Sequence, residues 1–196
     1  MKRLVLASNN AGKLVEIGEI LAPLAIEVLP QSAFGVDEAE EPHPTFIENA
    51  IAKARHASRQ SRLPALADDS GVCVDALGGE PGVHSARYAG EPRSDERNNA
   101  KLVAGLRGAD NRRAHYYCVI AMVRHADDPQ PLIAEGAWHG EIVDAPRGSQ
   151  GFGYDPHFFL PELGMTAAEL APAHKNRISH RGQALAKLLP GLKALA

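Results

Sequence analysis

The sequence predicts an α/β fold for its 196 residues. Short apolar runs typical of buried strands, such as residues 4–7 and 63–67, alternate with stretches in which apolar residues recur at helical spacing. With 44% hydrophobic and 23% charged residues, the composition is ordinary for a globular protein. At this length we expect one domain over residues 1–196, or two closely packed lobes, with a hydrophobic core large enough to fold without disulfide bonds or structural metal ions.

The first strand leads into a small polar turn, residues 8–13, which reads Ser-Asn-Asn-Ala-Gly-Lys. A helical pattern of Leu14, Ile17, Ile20 and Leu21 follows it. Amides at a helix N-terminus attract anions and Lys13 adds a positive charge, so a phosphate-bearing ligand is one interpretation. The alternative interpretation is an ordinary polar turn that holds no ligand. The turn fits neither the Walker A pattern nor the Gly-x-Gly-x-x-Gly fingerprint.

An acidic loop, residues 37–44, separates a short strand at residues 26–29 from the next predicted helix. Thr45 and Glu48 have the spacing of a capping box at the start of this helix. Its predicted apolar face consists of Phe46, Ile47, Ala50, Ile51 and Ala54. Glu40 and Glu41 in the loop are either solvated surface charges or oxygen ligands fixed near a site by the capped helix.

Asp68-Asp69-Ser70-Gly71 follows the second apolar run, so we expect it at the end of a strand. Active sites of α/β sheets gather at the carboxyl ends of strands. Two adjacent carboxylates repel each other unless a cation offsets their charge, and Mg²⁺ prefers such oxygen ligands. The alternative is a solvated turn, because Asp, Ser and Gly favour turns for local reasons.

The second half of the chain continues the alternation. Ser94 caps a predicted helix, residues 115–123 and 132–137 form a predicted antiparallel pair, and a glycine-rich loop at residues 148–156 precedes a strand at 158–160. The spacing of Thr166 and Glu169 repeats the capping box. Leu185, Leu188, Leu189 and Leu192 form the apolar face of a final helix.

Two segments of this half carry candidate ligand-binding side chains. Phe152 and Tyr154, set among glycines, are either rings for stacking a base or core aromatics. Residues 175–182 hold Lys175, Arg177, His180 and Arg181, which match phosphate oxygens or else mark a basic helix start.

Charge and cysteine content exclude several classes of protein. A net charge of −3 argues against a protein that coats nucleic acid. Cys73 and Cys118 lie in apolar runs and are interpreted as buried hydrophobes, with no paired spacing for zinc. The other histidines show no i, i+4 pairing or zinc-like cluster, so we assign them no metal. No signal peptide or membrane span is recognised, and the cytoplasm is the expected location.

The order of these motifs resembles the inosine triphosphate pyrophosphatase family, the dITP/XTP pyrophosphatases. The matching segments are residues 8–13, 45–50, 67–71, 81–88, 151–156 and 179–185. The resemblance implies an elongated mixed α/β fold whose two lobes enclose a nucleotide cleft, and a homodimer. It also implies Mg²⁺-dependent hydrolysis of non-standard purine nucleoside triphosphates (dITP, ITP and XTP) to the monophosphate and pyrophosphate. It implies neither a nucleic acid polymer nor a membrane as partner.

The resemblance also assigns roles to residues. It implies that Asp69 is the catalytic proton acceptor and a metal ligand, with Glu40 as a second metal ligand. It implies substrate binding by Ser8, Asn9, Asn10, Ala11, Gly12, Lys13, Lys53, Ser70, Phe152, Gly153, Tyr154, Asp155, Lys175, His180 and Arg181. The family often has Thr-Gly-Asn where this chain has Ser8-Asn9-Asn10. Pro42 and Pro44 stiffen the acidic loop, which leaves the choice between Glu40 and Glu41 open.

Overall fold

A computed structural model describes residues 2–195, apart from the side chains of Ala11 and Glu16. Its strands are β1 (Arg3–Leu6), β2 (Glu27–Pro30), β3 (Ala65–Val74), β4 (Arg113–Val123), β5 (Leu132–Ile142), β6 (Phe158–Leu160) and β7 (Met165–Thr166). Its α-helices are α1 (Ala11–Leu21), α2 (Phe46–Ser61), α3 (Asp95–Gly105), α4 (Pro172–Ile178) and α5 (His180–Leu195). The strands form one mixed sheet in the order β2-β1-β3-β4-β5-β6-β7, and the predicted α/β class is confirmed.

The chain folds into two compact units. Unit 1 comprises Met1–Asp69, Cys118–Glu135 and Gln183–Ala196, and unit 2 comprises Ser70–Tyr117 and Gly136–Gly182. In unit 1, β1 pairs in parallel with β2 and β3. In unit 2, β6 pairs antiparallel with β5 and β7. No helix among residues 2–195 is long and apolar enough to cross a membrane.

The core of unit 1 lies between its strands and the apolar faces of α1 and α5. Ile17 and Leu21 of α1 and Leu185 of α5 are fully buried there, as the helical spacing predicts.

The helix α1 begins at Ala11, so residues 11–13 form its first turn and only the preceding residues form the predicted polar turn. The Asn10 side chain caps it by accepting from the amide of Lys13 at 3.1 Å.

Helix α2 starts where the sequence predicts, and it buries Ala50 and Ala54 of the predicted face but not Ile47. The amide of Glu48 donates to the Thr45 hydroxyl at 3.3 Å, as the capping spacing requires. Ile47, predicted to be in the core, is 43% exposed. The side chains that α2 buries are Asn49, Ala50, Ala54, Ala57 and Ser58. Small residues on this face let the helix approach the sheet closely, and Ile47 lies outside the stripe.

Strand β3 corrects the expectation that Asp68-Asp69-Ser70-Gly71 ends a strand or forms a turn. The strand continues through these residues to Val74. Its pairing with β1 ends at Leu66, so the two aspartates lie beyond the end of β1 within a longer strand. Gly71 lets the Gly82 backbone approach this strand closely, because a Cβ there would lie 2.2 Å from the carbonyl oxygen of Gly82.

The core of unit 2 combines aliphatic side chains with a group of aromatic rings. The rings of Tyr116 and Phe158 lie 4.6 Å apart and those of Trp138 and Phe158 5.4 Å apart.

Ser94 caps α3 by accepting from the amide of Arg97 at 3.2 Å, as predicted. The glycine-rich loop precedes β6, also as predicted. Of the two cysteines, Cys118 is buried and Cys73 is partly exposed.

Candidate active site

Five charged side chains of unit 1 form what we call the carboxylate–lysine cluster: Lys13, Glu41, Lys53, Asp68 and Asp69. The Lys13 ammonium donates to Asp68 Oδ1 at 2.8 Å. The Lys53 ammonium donates to Glu41 Oε1 and to Asp69 Oδ1, each at 2.8 Å. Asp68 and Asp69 are buried, and both lysine side chains are mostly buried. The cluster therefore holds three carboxylates and two ammonium groups in a poorly solvated place.

The secondary structure explains why each aspartate meets its own lysine. Adjacent residues of a strand project to opposite faces. Asp68 meets Lys13 from the first turn of α1, and Asp69 meets Lys53 from α2. The predicted residues Ser8, Asn9 and Asn10 lead into α1, where Gly12 follows in the first turn. The side chain of Ala11 lies outside the described part of the chain.

Asn49 is a member of this region that sequence reasoning missed. Its Nδ2 donates to Asp69 Oδ2 at 3.3 Å and to the His43 carbonyl at 3.1 Å. Its Oδ1 accepts from the His43 amide at 3.1 Å. Asn49 therefore ties the acidic loop to β3. The available signal was its position one helical turn before Lys53, on the same face of α2.

Burial and charge shift the proton affinities of Asp69 and Lys53. Burial raises the pKa of Asp69; Lys53 opposes this shift, and the negative charges of Glu41 and Asp68 add to it. For Lys53, burial works to lower the pKa, but the charges of Asp69, Asp68 and Glu41 outweigh it and the pKa is raised. Asp69 is thus a stronger proton acceptor than an ordinary aspartate, and Lys53 stays charged.

The cluster's donor set fits a hard divalent cation. Glu41, Asp68 and Asp69 supply carboxylate oxygens, the ligands that Mg²⁺ prefers. Glu41 is half-buried and contacts Lys53, whereas Glu40, the predicted second ligand, is exposed. Within residues 2–195 no group of three or more His, Cys, Asp or Glu already surrounds a common point. The Lys53 ammonium lies between two of the oxygens, so a cation would share these carboxylates with it.

In unit 2, Asp155 organises a second group of predicted residues. Its carboxylate is buried and accepts from the Phe152 amide at 2.9 Å, from the Tyr116 hydroxyl at 3.2 Å and from the Lys175 ammonium. Gly151 adopts a φ of +75°, and a Cβ there would lie 2.0 Å from Asp155 Oδ2. The glycine loop therefore wraps directly around this carboxylate. We call Tyr116, Phe152, Asp155, Lys175 and His180 the Asp155 cluster.

The two aromatic residues of the loop differ in their surroundings. The Phe152 ring is 42% exposed, and its centroid lies 5.2 Å from the Lys175 ammonium. Tyr154 is buried, and its hydroxyl donates to the Ser85 carbonyl at 2.8 Å. The Tyr154 side chain therefore anchors the loop, and only the Phe152 ring is open for stacking.

Two residues of α3 hold Gly153, and sequence reasoning missed both. The Asp95 carboxylate accepts from the Gly153 amide at 2.7 Å, and Asn99 Nδ2 donates to the Gly153 carbonyl at 2.9 Å. Asp95 stood out in the sequence only as an acidic residue in the first turn of a helix.

The junction of α4 and α5 contributes His180 and Arg181. The His180 ring stacks on Tyr116 with centroids 4.7 Å apart and planes 7° apart. Arg181 Nη2 lies 3.5 Å from the Ser70 hydroxyl. Both side chains are buried, and the Ser179 hydroxyl accepts from the Gly182 amide at 3.2 Å. Apart from Arg177, which is exposed, the basic side chains of this segment are therefore packed within unit 2.

Comparisons with known proteins identify the family of this chain. The model of the Ham1 family matches residues 4–191. A dITP/XTP pyrophosphatase of Nitrosomonas europaea is 69% identical over 189 residues, which are 96% of this chain and 93% of the relative. The structure of a HAM1 protein from Coxiella burnetii superposes with a TM-score of 0.93 at 51% identity, covering 99% of this chain and 100% of that one. The Staphylococcus aureus Ham1 protein gives 0.89 at 41% identity and full coverage of both chains. The chain belongs to the Ham1 family.

Proposed function

We propose that this protein hydrolyses non-standard purine nucleoside triphosphates (dITP, ITP and XTP) to the monophosphate and pyrophosphate, with Mg²⁺ as cofactor. The observation that carries the proposal is the buried Asp69, whose pKa is raised and which lies beside Lys53 and Glu41. Relatives named dITP/XTP pyrophosphatase, 64% to 69% identical to this chain, support the reaction. The family resemblance supports a homodimer, and the cytoplasm is the location that the sequence predicts.

The reaction adds one water across the bond between the α- and β-phosphates. A water oxygen forms a bond to the α-phosphorus, and the bond from that phosphorus to the bridging oxygen breaks. Asp69 accepts the proton of the attacking water, and pyrophosphate leaves with the bridging oxygen. A carboxylate with a raised pKa suits this task, since a base works best when its pKa lies closer to the working pH.

Residues 8–13 and Lys53 bind the triphosphate in this proposal. The backbone of the first turn of α1 presents the positive end of the helix dipole to phosphate oxygens. Lys13 and Lys53 each supply an ammonium group that is positioned by an ion pair with a carboxylate. Binding of phosphate would exchange these ion pairs for contacts with the substrate and so free carboxylate oxygens.

Asp69 and Glu41 are the side chains that would hold Mg²⁺, with Asp68 close by. When bound, the ion would neutralise phosphate charge and polarise the phosphorus–oxygen bonds. Glu41 takes the place in this proposal that the family resemblance gave to Glu40, because Glu41 shares the Lys53 ammonium with Asp69.

The Asp155 cluster, with Ser70, Gly153 and Arg181, binds the purine base. The exposed Phe152 ring stacks on the base, and the buried Tyr154 anchors the loop through its hydrogen bond to the Ser85 carbonyl. Hypoxanthine and xanthine carry a carbonyl at C6, whereas adenine carries an amino donor. Donors from Lys175, His180 or Arg181 pair with the carbonyl, and adenine would leave such a donor buried without a partner.

The test is pyrophosphate release from ITP, XTP, GTP, ATP and CTP, with Mg²⁺ and with excess chelator. We expect release mainly from ITP and XTP, and its loss in chelator. Equal rates with ATP and ITP would contradict the account of base selection. No release from any nucleotide, together with tight binding of ITP, would show a nucleotide-binding module instead of an enzyme.

A further inference from the structure

Two histidines of unit 2 face each other across the pair of strands β4 and β5. The Ile142 amide donates to the Arg112 carbonyl at 2.9 Å, and the rings of Tyr116 and Trp138 lie 6.3 Å apart. Both contacts fit one antiparallel register, in which His115 lies directly opposite His139 at a non-hydrogen-bonded position. Side chains approach most closely at such positions. The two imidazole centroids are 5.4 Å apart.

These histidines project from the sheet face opposite the core of unit 2. Tyr116, Trp138 and Ile142 point into that core, so their neighbours His115 and His139 alternate to the other face. His139 is exposed and His115 is half-buried. Burial lowers the pKa of His115, as does His139, while Asp75 acts in the opposite direction. A neutral imidazole is the form that binds metals.

We propose that His115 and His139 together chelate one divalent ion of the late first transition row, such as Zn²⁺, Ni²⁺ or Cu²⁺. A metal–nitrogen bond of about 2.0 to 2.1 Å places each ring centroid about 3.2 Å from the ion. At a tetrahedral angle two such centroids are about 5.2 Å apart, close to the observed 5.4 Å. The observed separation of the two rings therefore matches the separation that a shared ion requires.

The chemistry of this pair differs from that of the carboxylate–lysine cluster. Imidazole favours Zn²⁺, Cu²⁺ and Ni²⁺, whereas carboxylates favour Mg²⁺. Since the part of the chain described here contains no site with three or more His, Cys, Asp or Glu around one point, water would complete the coordination. The ion would link β4 to β5 by side chains, independently of the proposed nucleotide chemistry.

The experiment titrates Ni²⁺ into untagged, metal-free protein by calorimetry, with millimolar Mg²⁺ present to occupy the carboxylates. We expect one site, and a loss of roughly tenfold or more in its affinity in His115→Gln and in His139→Gln. His125→Gln removes an exposed histidine from the β4–β5 connection and serves as the matched control, with unchanged affinity. Unchanged affinity in both variants of the pair would overturn the proposal.

A second readout reports the ligands themselves. With one equivalent of Cu²⁺, electron paramagnetic resonance of the wild-type protein should show coupling to two imidazole nitrogens. Each single variant should show coupling to one. A wild-type spectrum without imidazole coupling would overturn the proposal even if Ni²⁺ binds elsewhere. Pyrophosphate release by the variants should match the wild-type rate, since neither histidine belongs to the proposed active site.

Discussion

The carboxylate–lysine cluster of unit 1 and the Asp155 cluster of unit 2 use the same charged groups in opposite ways. In the first cluster, three carboxylates share two ammonium groups, and Lys53 divides its contacts between Glu41 and Asp69. In the second, the single carboxylate of Asp155 accepts hydrogen bonds from an amide, a hydroxyl and an ammonium group. The first cluster keeps negative charge in excess and can exchange partners, whereas the second is saturated and holds its shape.

In the proposed function, the first cluster carries out the chemistry and the second positions the base. A carboxylate surplus offers oxygens to a cation and an acceptor to a proton, so substitutions in unit 1 should act on turnover. A saturated carboxylate orients the donors around it, so substitutions near Asp155 should act on recognition of the base. Each of the following predictions tests one side of that contrast.

Asp69→Asn should have the largest effect. The amide cannot accept the proton of the attacking water and is a poor ligand for a cation, so kcat should fall by about 10³-fold. The fold should persist, since Asn retains a hydrogen-bond acceptor for Lys53. The measurement is initial-rate pyrophosphate release from ITP, with circular dichroism to check folding.

Asp37→Asn is the matched control, because Asp37 carries the same charge and is exposed in the acidic loop. Its rate should equal that of the wild type. If Asp69→Asn turned over at near the wild-type rate, the cluster would lose its catalytic assignment, and the contrast between the two clusters would reduce to one of burial.

The local parts of this cluster could be predicted from the sequence and the distant contacts could not. The cap at Thr45 and the helical phase of Lys53 follow from neighbouring residues. The contact of Lys53 with Asp69 joins α2 to β3 and depends on how they pack. The passage of β3 through Asp68 and Asp69 contradicts local turn preference, because the place of β3 in the sheet outweighs that preference.

Glu41→Gln tests which glutamate serves the cation. Loss of a ligand charge should raise the Mg²⁺ concentration for half-maximal rate by roughly tenfold, because Glu41 lies with Lys53 and Asp69. Glu40→Gln, one position away and exposed, is the control and should leave that concentration unchanged. The reverse result would restore Glu40 as the ligand, as the family resemblance implies, and would mean that the acidic loop rearranges when the cation binds.

Phe152→Ala tests the recognition side of the contrast. Loss of a stacking ring should raise KM by about tenfold with little change in kcat, and equally for ITP and XTP, since stacking does not read base edges. Leu163→Ala is the control, because both side chains are 42% exposed in unit 2. A fall in kcat at unchanged KM would contradict the assignment of Phe152 to base binding.

The sequence could not separate Phe152 from Tyr154, since both are aromatic residues next to Gly153. The distinction arises from a hydroxyl that reaches the Ser85 carbonyl, far away in the chain. The pair of His115 and His139 was missed for a similar reason. Residues on one face of a helix can be recognised from their spacing within a single segment. Which residues of two strands lie opposite each other depends on the strand register, which is set by the connecting turn and by the packing of the core.

The smallest effect is expected at a carboxylate that serves stability alone. Asp128, buried in the β4–β5 connection, accepts from the amide of Arg124 at 2.9 Å, from its Nε at 2.8 Å and from the Gln130 amide at 3.0 Å. The hydrogen bond from the Arg124 side chain is the main reason that the pKa of Asp128 lies well below its usual range, against the opposing effect of burial. A lowered pKa in the folded state means that the stabilisation is present above the unfolded value, about 3.9, and is lost as the pH falls towards the folded value.

Asp128→Asn should therefore lower the free energy of unfolding by about 1 kcal/mol at pH 7, and the gap to the wild type should narrow as the pH falls below about 4. Urea unfolding across pH 3 to 7 measures both. Asp127→Asn is the neighbouring control; its side chain is 88% exposed and its contact with Arg59 is 3.4 Å long, so it should shift stability by less than about 0.5 kcal/mol. Pyrophosphate release should be unchanged in both variants at neutral pH. A gap that widened at low pH would show that Asp128 is destabilised as an anion, and the saturated carboxylates of this protein would then need another explanation than stability.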